Sequence, residues 1–122
     1  MELGFPNGVS SLGVFADGTV DFYISTGGGI REAGENKLVR EAGENFLTAA
    51  EAHLADLGPA ADTPLPKPDH VRFYIRTFEA TLTADADEKD LRSNHHKLSP
   101  LFRAGHAVIT KMRYLDRPKD DA

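Results

Sequence analysis

The chain contains no cysteine, which removes disulfide frameworks, thiolate metal sites and cysteine nucleophiles together. It also lacks any run of about 18 apolar residues of the kind that crosses a bilayer. The opening Met1-Glu2-Leu3-Gly4-Phe5-Pro6 does not have the basic-then-apolar layout of a signal peptide, so the sequence predicts a cytoplasmic protein without a membrane partner. Basic residues are in short supply, with 14 Lys and Arg against 19 Asp and Glu and a formal net charge of −5. A field of that sign repels phosphate backbones and disfavours nucleic acid as a partner.

What is present is ordinary globular composition, 40% apolar and 27% charged over 122 residues. A chain of this length buries roughly two-thirds of its unfolded surface and needs no staples. The expectation is one domain spanning 1–122, with frayed ends at 1–9 and 116–122.

Asp17-Gly18 joins two β-rich runs, Gly13–Ala16 and Thr19–Ile24, and the pair suits a two-residue hairpin turn. That turn sets Phe15 opposite Val20 and Gly13 opposite Phe22. Phe15, Val20, Phe22 and Ile24 would then face the core, with Leu12, Val14, Asp21 and Tyr23 outward. A helical period runs from near Lys37 to Leu57 and stops at Gly58-Pro59. An irregular crossing from Pro59 to Pro68 carries four prolines.

A second hairpin, Val71–Thr77 and Ala80–Ala84, turns at Phe78-Glu79. It pairs Ile75 with Leu82 and Phe73 with Ala84 and leaves Arg72, Tyr74 and Arg76 outward. Asp85–Lys97 reads as a polar loop. Ser99-Pro100 then opens a last helix whose apolar stripe is Leu98, Leu101, Phe102, Gly105, Val108, Ile109 and Met112. The predicted fold class is α+β: two ββα units forming a four-stranded antiparallel sheet with two helices on one face. One literal repeat, Arg31–Asn36 and Arg40–Asn45, has a nine-residue spacing that would put its copies on opposite faces of a helix. The first copy is therefore expected in a loop or first turn and only the second inside the helix.

Three features carry possible chemistry. Gly27-Gly28-Gly29, preceded by Thr26 and followed by Arg31, offers backbone N–H groups to an anion, although neither a P-loop nor a dinucleotide fingerprint is present. The five histidines include the adjacent His95 and His96, whose side chains diverge too far to share an ion, so neither metal nor cofactor is expected. His106 stands at the edge of the last helix's apolar stripe, where it is either a hydrogen-bonding interior group or a base in a cleft. No serine lies in a nucleophile-elbow sequence, and no catalytic residue is assigned. The third feature is the outer sheet face, where Leu12, Val14, Tyr23, Tyr74 and Arg76 form a mixed aromatic, apolar and basic surface suited to a protein partner or homodimer.

Ser25-Thr26-Gly27-Gly28-Gly29, Gly34-Glu35, Val71–Thr77 and above all Leu98-Ser99-Pro100-Leu101-Phe102-Arg103-Ala104-Gly105-His106-Ala107-Val108-Ile109-Thr110 together resemble a family of short, uncharacterised bacterial proteins. The resemblance implies a bacterial single-domain protein and transfers no mechanism. The functional expectation is a non-enzymatic protein-binding or regulatory module acting as a homodimer through the outer sheet face. The alternative is a small-molecule or anion-binding protein, conceivably an enzyme, with a site at Thr26, Gly27–Gly29, Arg31 and His106.

Overall fold

The computed structural model describes residues 1–31 and 33–115, so the fraying expected at 116–122 lies outside the described residues. The fraying expected at 1–9 is corrected. Met1 and Leu3 alternate with Glu2 and are buried, and strand β1 (Glu2–Phe5) lies in the middle of the sheet. It pairs with β2 (Gly8–Val14) on one side and with a strand of the second hairpin, His70–Arg76, on the other. The α-ammonium of Met1 donates to the Leu12 carbonyl at 2.8 Å, and burial pushes its pKa down to about 6.

The predicted four-stranded sheet of two ββα units is likewise corrected: α+β holds, but the described residues form one antiparallel sheet of seven strands. The remaining strands are β3 (Val20–Ile24), β4 (Gly29–Ile30), β5 (Gly58–Pro59), β6 (His70–Arg76) and β7 (Thr81–Asp87), in the order β4-β3-β2-β1-β6-β7-β5. The two hairpins are thus joined through β1, which turns into β2 at Pro6-Asn7, beside the turn-forming Gly8. Both edges end in two-residue strands, and Pro59 leaves one of them without an N–H to offer, an arrangement that blunts edge-to-edge pairing.

The first hairpin also differs by one residue from the expected register. Phe15 N–H donates to the Thr19 carbonyl, Gly18 N–H donates back to Phe15, and the Asp17 carboxylate accepts from Thr19 N–H. The loop is therefore three residues long, and Val14 pairs with Val20 and Leu12 with Phe22. A one-residue slip exchanges the faces of a strand. Leu12 is accordingly buried in the core, Val14 packs against it, and Phe15 is 52% exposed. The second hairpin has the expected register, Ile75 with Leu82 and Phe73 with Ala84.

Helix α1 (Lys37–Ala52) begins where the Asn36 side chain accepts from the N–H groups of Leu38 and Val39. The first copy of the repeat thus ends in a cap after a 3₁₀ turn (Ala33–Glu35), and the second lies within the helix. The helix is shorter than expected, followed by a 3₁₀ turn at Leu54–Asp56. Part of the expected polar loop is ordered differently: β7 continues to Asp87, whose carboxylate caps the short α2 (Glu88–Arg92). In α3 (Ser99–Leu115) every residue of the predicted stripe from Leu101 to Met112 is buried. Helices α1 and α3 pack on each other and share one core with Leu3, Val20, Val71 and Phe73 of the sheet.

The proline-rich crossing runs over the outer sheet face. Its Lys67 carbonyl approaches Gly4 so closely that a Cβ there would lie 2.0 Å from the oxygen. The Tyr74 hydroxyl donates to the Pro64 carbonyl, fastening the crossing to the sheet.

Candidate functional site

Because α3 buries one stripe, the residues on its flank are left facing outward. Arg103, His106, Ala107, Thr110 and Lys111 form that flank, and Arg92 from the end of α2 stands across from them. Between lies an open groove with a cavity volume of about 460 Å³. Three cationic side chains thus converge on one surface of a chain whose net charge is −5.

The cations are oriented by neighbours. Arg92 Nε lies 2.7 Å from Glu88 Oε2, one helical turn back, and its guanidinium carbon sits 5.3 Å from the centroid of the Phe102 ring. Arg103 donates to the Asn94 side-chain oxygen, and Asn94 has φ 63°, the left-handed conformation that asparagine tolerates better than most residues. His106 packs on Phe102 with ring centroids 5.8 Å apart.

Burial first, and then the nearby Arg92 and Arg113, lower the His106 pKa, with Glu88 opposing. The folded state therefore favours neutral imidazole. That contribution to stability is present above the ordinary histidine pKa and is lost as pH falls through the lowered one. His106→Gln should accordingly lose less stability than the wild type between pH 7 and pH 5 in urea titrations. The comparison cancels the Met1 amine, whose lowered pKa acts in the same direction. Equal losses in the two proteins would contradict this environment for His106.

The other predicted site residues are not brought to this groove; none of Thr26, Gly27, Gly28, Gly29 or Arg31 lines it. The triple glycine forms the turn between β3 and β4 rather than a strand-to-helix nest. Gly27 N–H donates to the Ile24 carbonyl, and the Gly28 carbonyl accepts from Ile24 N–H. Positive φ at all three glycines explains their presence as turn geometry.

The outer sheet face is corrected in composition. Leu12 and Val14 belong to the core side, and Tyr23 and Tyr74 are separated by three strand spacings, about 14 Å. Between them the register sets Tyr23, Ser11, Glu2, Arg72 and Asp85 in one row. These polar groups engage one another: Ser11 donates to Glu2, His70 Nδ1 lies 2.7 Å from Asp85 Oδ1, and Arg72 donates to Thr83 at 3.3 Å. Arg76 is exposed.

His95 Nδ1 is 2.7 Å from the Ser93 hydroxyl, and His96 Nδ1 accepts from Leu98 N–H at 3.0 Å, so both rings stabilise the turn before α3. Among the described residues no group of three His, Asp or Glu side chains could hold a metal ion. Nor is any helix there long and apolar enough to cross a membrane.

Sequence reasoning singled out His106 and missed Arg92, Arg103 and Lys111. The i, i+4 spacing of Arg103, Ala107 and Lys111 beside His106 carried a signal for one wall. Nothing in the linear pattern placed Arg92 opposite it. No family model, curated protein or solved structure matches this chain, so the resemblance of the Leu98–Thr110 block assigns no role to these residues.

Proposed function

We propose that the protein is a non-enzymatic binding module whose working surface is the α2–α3 groove and whose ligand is anionic. The observation that carries this reading is that Arg92, Arg103, His106 and Lys111 line one groove on an otherwise acidic molecule. Guanidinium groups held by Glu88 and Asn94 lose less conformational freedom on binding than free ones. A cytoplasmic, bacterial setting is part of the same proposal, on the sequence grounds given above. A protein partner would engage the groove through an acidic segment. A second copy of this acidic chain could supply one, which is how the expected homodimer fits this reading.

Calorimetric titration with citrate tests it. Wild-type protein should bind, and the charge-reversed Arg103→Glu/Lys111→Glu protein should bind at least about tenfold more weakly, equivalent to ~1.4 kcal/mol. Citrate affinity that is absent in the wild type, or unchanged by the reversal, would remove the proposal.

A further inference from the structure

The cations of the groove are not gathered at one point. Arg103 and Lys111 are eight residues apart on α3, which separates them by about 12 Å along the helix axis and about 80° around it. Ala107 lies midway between them in both senses. The strip joining the two charges is thus floored by a methyl group; Phe102 and Arg92, whose own charge is met by Glu88, line the groove beside its Arg103 end. An arginine has five N–H donors, so the bond from Arg103 to Asn94 leaves others for a ligand.

Resting on the anion-binding reading above, we propose that the groove takes an elongated small-molecule dianion, with one anionic group at Arg103, the other at Lys111, and an apolar chain across Ala107. A compact polyanion would reach one cation and leave the other in water. A long monoanion would cover the strip and satisfy only one end. The cavity of about 460 Å³ is of the size that small-molecule sites occupy.

A length series of α,ω-dicarboxylates tests the two-point geometry, with succinate, suberate and undecanedioate titrated beside the monocarboxylate nonanoate. Affinity should rise with length, and undecanedioate should bind at least tenfold tighter than succinate or nonanoate. Arg103→Gln and Lys111→Gln should each reduce undecanedioate to about the nonanoate level while leaving nonanoate itself changed by no more than a few-fold. Both positions are on the surface flank of α3, so folded variants are expected, and circular dichroism checks this. Equal affinity for succinate and undecanedioate, still lost on charge reversal, would overturn the two-point inference and leave single-anion binding standing. An undecanedioate affinity no better than that of nonanoate would overturn it as well. No binding of any acid would overturn both proposals.

Discussion

Leu12→Asp should leave little or no folded protein, whereas Phe15→Asp, three residues on, should fold with nearly wild-type stability. Leu12 is 4% exposed and faces Phe22 across the ladder, inside the layer closed by the helices. An aspartate there forfeits the apolar burial and places an unpaired carboxylate in the core. The combined loss is about 5 kcal/mol or more, comparable with the whole stability of a small domain. Phe15, by contrast, flanks the three-residue loop and is more than half exposed, so a change there should cost less than about 1 kcal/mol. Circular dichroism and urea unfolding of the two variants read the register directly. A folded Leu12→Asp beside an unfolded Phe15→Asp would restore the two-residue turn and the opposite face assignment.

Gly4→Ala should destabilise the protein by about 3 kcal/mol, a large effect for one added methyl group. The new Cβ would meet the Lys67 carbonyl oxygen at 2.0 Å and its carbon at 2.8 Å. These are backbone atoms and cannot rotate aside. Relief requires moving the proline-rich crossing, which strains the bond from Tyr74 to the Pro64 carbonyl and the bond from Asp69 N–H to the Gly4 carbonyl. Gly58→Ala is the control, since no atom outside its chain neighbours lies within 4 Å of the added Cβ, and its urea midpoint should stay near that of the wild type. Indistinguishable midpoints for the two alanine variants would mean that the crossing does not lie on β1.

The parts of the fold that were legible in the sequence are those with local signals. The apolar stripe of α3 repeats with the helical period, and the second hairpin has alternation on both sides of its turn, so burial and register followed directly. The first hairpin misled because Asp17-Gly18 also fits a longer loop: the Asp17 carboxylate accepts from Thr19 N–H and draws one more residue into the turn. Val14 and Phe15 are both apolar, so composition could not decide which of them faces inward. Strand β1 was missed for a different reason. One neighbour, β6, begins only at His70, and the strand is four residues long with Gly4 inside it, too short for its alternation to stand out before the Pro6-Asn7 turn.

The candidate groove was legible only on one side. His106 and its helical neighbours follow from the period of α3, but Arg92 enters from α2, whose position depends on β7 continuing to the Asp87 cap. In the expected register Leu12 and Val14 break the polarity of the outer sheet face. Once the register moves by one residue those two side chains enter the core, and the face that remains is largely a polar row partly covered by the proline crossing. The groove is then the surface on which Arg92, Arg103 and Lys111 stand along one lining.

The most direct measurement of that claim is an amide chemical-shift titration of the wild-type protein with citrate. Saturable shifts should concentrate at Arg92 and from Phe102 to Lys111, with the Gly27–Gly29 turn and the outer-face residues Tyr23 and Arg76 unmoved. Shifts centred on the glycine turn or on the outer sheet face, with the α2–α3 groove silent, would contradict it.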